Sequence, residues 1–120
     1  MLREMILKPQ GIIELKIEEF EKPVYIRRMT AAERAEFLKH AVNFENNNVN
    51  VEYSKIFENM ARLVAIALCD KDGKRVFSDS EEDIQELQNC DAVILEKMYN
   101  EASKANGLGE NSIKEAAKNS

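Results

Sequence analysis

Between Ile13 and Glu18 apolar and charged residues alternate one for one, with Ile13, Leu15 and Ile17 set against Glu14, Lys16 and Glu18. A period of two belongs to a strand with one buried face and one wet face. Glu21-Lys22-Pro23 then turns the chain, and Val24-Tyr25-Ile26 supplies a second short strand of β-branched and aromatic residues. Pro23 stands at its entry, where no ladder hydrogen bond is lost. The two pieces predict a β-hairpin.

From Thr30 onward the period changes to that of a helix. Thr30-Ala31-Ala32-Glu33 is a capping box, in which the Thr oxygen accepts from an orphan N–H and the Glu carboxylate reaches back to the N–H of the cap. Phe37, Leu38, Ala41 and Phe44 fall on the stripe expected to be buried, and Asn46-Asn47-Asn48 is a connector that ends the helix. The strongest helical signal runs from Val51 to Leu68, where Tyr53, Ile56, Phe57, Met60, Leu63, Val64, Ala67 and Leu68 recur at steps of three and four. Ala61, Ala65 and Ile66 make its last turns apolar all round, so this is the expected central helix.

Asp72-Gly73 lies between short extended pieces and predicts a tight reversal after the central helix. Ser78 and Ser80 before Glu81-Glu82-Asp83 suit a helix N-terminus, with Ile84 and Leu87 as its apolar side. Another helix from about Asp91 carries Ile94, Leu95, Met98, Ala102 and Ala105 on one face and closes at Asn106-Gly107. Ile113 to Lys118 add a last turn or two. The fold class is therefore α+β, mainly α: an N-terminal β-hairpin followed by a compact bundle of about four to five helices, with a tight Asp-Gly turn after the central one. Its 120 residues make a single domain, 1–120, with no internal repeat and with ends, 1–9 and 110–120, expected to fray.

Composition narrows the function. Hydrophobic residues at 44%, only four Gly and two Pro, and no Trp describe a helix-favouring globular chain. The 17 Lys and Arg against 22 Asp and Glu leave a net charge of −5, which repels a polyanionic duplex and argues against nucleic acid as a partner. The longest apolar run, Leu63 to Cys69, is far short of the roughly 20 residues of a membrane-crossing helix. Lys8 cuts short the apolar triplet Met5-Ile6-Leu7, so no secretory signal is expected, and the cytoplasm is the expected compartment. Cys69 and Cys90 fit neither a metal-ligand spacing nor a disulfide scaffold and read as reduced thiols, one in the core.

Candidate chemistry is thin. His40 is the single histidine and has no triad or metal partner near it in sequence. Gly11, Gly73, Gly107 and Gly109 form no phosphate-cradling string, and Gly73 stands fourth after Asp70 rather than at the sixth position of a calcium loop. No catalytic, cofactor-binding or metal-binding residue is assigned. Arg27-Arg28 with Arg34 is the one compact basic cluster, and it admits three readings: pairing with an acidic partner, touching nucleic acid, or guarding an edge strand.

Three strings say more. Tyr25-Ile26-Arg27-Arg28-Met29-Thr30-Ala31-Ala32-Glu33-Arg34, then Ala61 to Phe77 with its ending Leu-Cys-Asp-Lys-Asp-Gly-Lys-Arg-Val-Phe, then Ala102 with Asn106-Gly107-Leu108 resemble, in order, the tail assembly chaperone family of long-tailed bacteriophages and prophages. The match covers about three-quarters of the chain, and the helix-to-turn string is its most specific part. The Asn46–Asn48 connector and the polar stretch after Asn89 depart from the pattern.

The resemblance implies a non-enzymatic morphogenesis factor, made in the host cytoplasm and absent from the mature virion. It would bind the tape measure protein and promote polymerisation of the tail tube protein around it. It also implies a longer, frameshifted form of the same product; Ala117-Lys118-Asn119 can be encoded by a slip-prone GCA-AAA-AAC one residue before the chain stops. Partner contacts are assigned to Tyr25, Arg27, Arg28, Arg62 and Phe77, with Arg27 and Arg28 as rim charges. Self-association is expected through Val24 to Ile26 as an edge strand or through the apolar end of the central helix. The alternatives are an unrelated cytoplasmic protein-binding adaptor, and a small enzyme whose His40 and carboxylates meet only in three dimensions.

Overall fold

In a computed structural model the described residues are 1–46 and 53–108. The hairpin forms as β1 (Ile13–Leu15) and β2 (Val24–Ile26), antiparallel, with Ile13 opposite Ile26 and Leu15 opposite Val24. The alternation holds only in part: Ile17 is buried and Leu15 half-buried, but Ile13 at the start of β1 stays exposed. At the end of α4 (Glu81–Gln88) the Asn89 N–H donates to the Gln85 and Glu86 carbonyls and the Cys90 N–H to the Leu87 carbonyl, and the start of the helix is capped by Ser80, whose side chain accepts from the Asp83 N–H. Ile84 and Leu87 of that helix are buried, as their spacing requires.

Helix α2 (Ala31–Asn46) begins at the capping box: the Thr30 N–H donates to Glu33 Oε1 at 2.9 Å and the Glu33 N–H to Thr30 Oγ1 at 3.1 Å. Of its expected stripe, Phe37 is buried, while Leu38 turns outward at 41% exposure. The narrow face of α2 that meets the body passes through Glu33 and Phe37, four residues apart, and Leu38 lies one position off that line. Helix α5 (Ala92–Ala105) starts on Asp91, whose carboxylate accepts from the Val93 and Ile94 N–H groups. It buries Ile94, Leu95, Met98 and Ala102. Its C-terminus closes through Gly107 at φ +66°, where glycine has no Cβ to clash.

The central helix α3 (Tyr53–Ala67) packs against α5, α4 and α2. Ala61 and the whole run from Leu63 to Ala67 are buried. Several expectations are corrected here. Tyr53 is 74% exposed rather than part of the buried stripe, because the core reaches only the later turns of α3. Leu68 is not helical: with Cys69 it forms β3 (Leu68–Cys69), which pairs antiparallel with β2 through Ile26 opposite Leu68 and Tyr25 opposite Cys69. The strand order β1-β2-β3 makes Val24–Ile26 the central strand, not an edge. Both surfaces expected to carry self-association, that strand and the apolar end of the central helix, are therefore internal.

After β3 the chain reverses as the Asp-Gly pair predicts. Asp70 Oδ1 accepts from the N–H groups of Asp72 at 2.8 Å and Lys74 at 3.0 Å, and Gly73 adopts φ +88°. A Cβ on Gly73 would stand 2.9 Å from Pro9 Cβ, so the turn is also pinned beneath the segment that leads into β1. Ahead of that segment α1 (Leu2–Leu7) forms a short helix with no buried residue. The connector residues Asn47 and Asn48, the expected turn from Ile113 to Lys118 and the Ala117-Lys118-Asn119 tail lie outside the described residues.

Candidate protein-binding surface

Helix α3 runs straight into β3 with no intervening cap residue, which leaves its last carbonyls to be satisfied from elsewhere. Arg27, one residue past β2, supplies most of the donors. Its backbone N–H reaches the Ala67 carbonyl at 2.9 Å, and its Nη2 reaches the Ile66 carbonyl at 2.9 Å. Arg75 Nη2 donates to the Ala65 carbonyl at 3.2 Å. Two guanidinium groups thus close the negative end of α3, where cations are favoured.

Glu33 balances them. It accepts from Arg27 through both oxygens at 2.9 Å and lies 3.5 Å from Arg75 Nη1. Burial pushes the Glu33 carboxyl upward, but the Arg27 hydrogen bond, the Thr30 N–H and the charges of Arg27 and Arg75 outweigh it and hold the group below the ordinary glutamate range. The capping-box glutamate therefore does two jobs, starting α2 and balancing the two guanidinium groups that close the end of α3.

Asn106 ties in the third element. Its Oδ1 accepts from the Met29 N–H at 2.6 Å, its Nδ2 donates to the carbonyls of Ala102 at 2.8 Å and Arg27 at 3.4 Å, and its own carbonyl accepts from Arg34 Nη2 at 2.8 Å. The three strings that carry the family resemblance consequently meet at one knot of buried polar bonds. Composition alone shows Asn106 only as a helix-ending residue; its cross-chain role joins positions 77 apart and leaves no local signal.

The basic cluster is thereby dispersed. Arg27 is 5% exposed and committed to the interior, Arg34 bonds to the end of α5, and only Arg28 lies free on the outside, its side chain crossing the face of Gly11. Arg27 is not a rim charge, because the Ile66 carbonyl and Glu33 hold its guanidinium inside. Tyr25 and Phe77 are half-buried, and Arg62 is half-buried beside Glu58 at 3.4 Å. Of these five residues Arg27 belongs to the knot, with its guanidinium held inside, while Arg28 is exposed and Tyr25, Arg62 and Phe77 keep part of their side chains at the surface.

His40 is half-buried on α2, and among the described residues no three His, Cys, Asp or Glu side chains gather where they could hold a metal ion. Cys69 is buried and Cys90 half-buried, both free. Burial pushes both thiols up, reinforced by the Asp70 charge at Cys69 and the Asp91 charge at Cys90, which leaves them weak nucleophiles. No described helix is long and apolar enough to cross a membrane.

Apolar surface is the feature that remains. On α1 Leu2, Met5, Ile6 and Leu7 are each exposed by 64% or more. The spacing of Leu2, Met5 and Ile6 puts these three on one side of the helix, a signal present in the sequence at i, i+3 and i+4. On α3 Tyr53 stands out, with Ile56, Phe57 and Met60 half-buried behind it in sequence. A monomer ordinarily scatters its exposed apolar residues singly, whereas grouped ones mark contact sites.

No protein-family model matches the chain, and no curated protein matches it in sequence. Among solved structures, the tail assembly chaperone of bacteriophage HK97 superposes with a TM-score of 0.65 and 15% identity, covering 87% of this chain and 95% of that one. The chain and the HK97 tail assembly chaperone therefore share one fold, across nearly the full length of both.

Proposed function

We propose that the chain is a tail assembly chaperone of a long-tailed bacteriophage or prophage, a non-enzymatic factor that binds the tape measure protein and promotes polymerisation of the tail tube protein around it. The observation that carries this reading is the fold shared with the HK97 chaperone. It is supported by the way the three resembling strings converge on the Arg27–Glu33–Asn106 knot, which gives those residues a common structural reason to occur together. Such a chaperone works in the host cytoplasm and leaves before the virion is complete.

The client surface in this proposal is the first half of α3, where Tyr53, Ile56, Phe57 and Met60 offer incompletely buried apolar area to a helical partner. Tyr25, Arg28, Arg62 and Phe77 are the accompanying contacts, and Arg27 contributes from within by holding the end of α3. Self-association and a frameshifted longer form complete the set of partners; the gene sequence across residues 113–120 and the frame beyond it decide the latter.

The test is co-purification of the full chain with fragments of the tape measure protein. Binding at tens of micromolar or tighter, roughly −6 kcal/mol or better, is expected. No binding at that level overturns the chaperone reading and leaves the adaptor alternative, for which neighbouring genes other than a tail tube gene and a very long tape measure gene would be found.

A further inference from the structure

The open edge of the sheet is β1. On the far side β3 is already covered, because Cys69 bridges to Arg75 and the Val76 N–H donates to the Leu68 carbonyl at 3.3 Å. No strand lies beyond β1 in the order β1-β2-β3, and neither a proline nor a bulge in its pairing with β2 blunts the exposed backbone.

The register fixes which backbone groups are left over. Successive residues of a strand send their N–H and C=O to opposite neighbours. The Arg27 N–H reaches the Ala67 carbonyl, so Tyr25 and Arg27 bond toward β3, and Val24 and Ile26 bond toward β1. The Arg28 N–H on the Gln10 carbonyl follows the same alternation. Ile13 and Leu15 stand opposite Ile26 and Val24 and therefore spend their backbone groups on β2. Those of Glu14 point away from the sheet, and Lys16, two residues on, continues the outward set.

The side chains select the occupant. Glu14 and Lys16 are both exposed, and among the described residues neither has an ion-pair partner, whereas Glu19 already reaches Lys97 at 3.6 Å. An antiparallel strand centred opposite Leu15 matches this edge when it sets a positive residue against Glu14 and a negative one against Lys16. A second β1 is such a strand: turned about a two-fold axis at Leu15, it puts Lys16 opposite Glu14 and Glu14 opposite Lys16. Other centres do worse. Centring on Glu14 opposes two Glu14 side chains, centring on Lys16 opposes Glu14 and Glu18, and centring on Ile13 leaves both charges without a counterpart. Past Ile17 the chain turns, with the Phe20 N–H on the Ile17 carbonyl at 3.0 Å.

We propose that two copies of the chain join β1 to β1, antiparallel about a two-fold axis at Leu15, into one continuous sheet. The Glu14 N–H of one copy donates to the Lys16 carbonyl of the other, the Lys16 N–H of the other donates back to the Glu14 carbonyl, and the symmetry repeats both bonds. Ile13, 36% exposed in the single copy, gains Ile17 of the other copy as its cross-strand neighbour. Because each copy offers the same edge, the contact closes at a dimer. The inference rests on the self-association proposed above and gives it a surface.

Sedimentation of the full chain over a wide concentration range tests it. The wild type is expected to pass from monomer to dimer and stop there. Glu14→Lys sets positive charges opposite each other at both ends of the contact, and Lys16→Glu does the same with negative ones, so each should weaken the dimer about tenfold. Both side chains are exposed, and the CD spectra should be unchanged. An equimolar mixture of the two variants is complementary again and should form a heterodimer tighter than either homodimer. Glu14→Lys together with Lys16→Glu in one chain should restore the homodimer. A monomeric wild type, growth beyond a dimer, single variants that dimerise like the wild type, or a mixture that forms no heterodimer overturns the proposal. Co-purification with tape measure fragments is read separately, so loss of client binding with the dimer intact counts against the chaperone reading alone.

Discussion

Arg27 and Glu33 face each other in a two-pronged ion pair, Nη1 on Oε1 and Nη2 on Oε2, each at 2.9 Å. The pair also spans the joint between β2, the start of α2 and the end of α3, since Arg27 reaches the Ile66 carbonyl and Glu33 accepts from the Thr30 N–H. A buried Arg27 and a half-buried Glu33 are costly to remove from water, and here the helix carbonyls and the capping N–H supply the extra hydrogen bonds that make the burial tolerable.

Breaking the pair from one side should therefore cost more than removing both charges. Arg27→Met leaves Glu33 with only Arg75 nearby and strips the Ile66 carbonyl of its donor, an expected loss of about 3 kcal/mol. The double change Arg27→Met with Glu33→Gln should lose less than the sum of the single changes by about 1–3 kcal/mol. Urea unfolding of the two single variants and the double variant measures the difference; strict additivity would show that the two groups do not act as a pair.

Acid should release the same joint. Glu33 is held below its ordinary value of 4.5 in the folded chain, so the unfolded state binds its proton first as pH falls. The stabilisation is present above 4.5 and is lost as pH drops through the lower folded value. Asp70 and Asp83 are also held low, chiefly by the Lys74 and Ser78 N–H groups respectively, and they lose stability over the acid range in the same direction. The urea midpoint of the wild type is thus expected to fall below about pH 4.5, and Glu33→Gln should flatten that fall without abolishing it. An identical acid slope in the variant would contradict the assignment to Glu33.

The two glycine turns give a matched comparison. Gly73 and Gly107 both have positive φ, at +88° and +66°. A Cβ at Gly73 meets Pro9 at 2.9 Å and Ile12 at 3.1 Å, whereas at Gly107 the nearest neighbour is Arg34 Nη2 at 4.0 Å. Gly107→Ala should cost about 1 kcal/mol, the backbone term alone, and Gly73→Ala clearly more, because Pro9 or the turn must also move. Thermal denaturation of the two variants ranks them, and equal losses would mean the Pro9 contact is without consequence.

What the residue pattern conveys and what it hides divides along sequence distance. The Thr30–Glu33 box, the Ser80 and Asp91 caps and the Asp72-Gly73 reversal are built from neighbours a few positions apart, and each is visible as spacing. The bond from Asn106 to Met29 and the ion pair from Arg75 to Glu33 join residues on different elements, with no periodicity to mark them. Leu68 shows the same limit: the apolar run continues the helical pattern, and only pairing with Ile26 turns it into a strand. Arg27 and Arg28 look alike in sequence, yet one is inside and the other outside, because β2 ends between an interior carbonyl cluster and open water.

That last contrast separates fold from partner binding in one experiment. Arg27→Glu would set a carboxylate against Glu33 and remove the donor to Ile66, so it should unfold the chain or nearly so, with a lost CD spectrum. Arg28 is exposed and bonds through its backbone N–H to the Gln10 carbonyl, a bond that substitution leaves in place. Arg28→Glu should consequently shift stability by no more than about 0.5 kcal/mol. If Arg28 contacts the tape measure protein, the charge reversal should weaken client binding about tenfold, equivalent to 1.4 kcal/mol, at an unchanged urea midpoint. Full binding by Arg28→Glu would remove Arg28 from the client surface, while loss of binding together with loss of fold would place Arg28, like Arg27, within the knot.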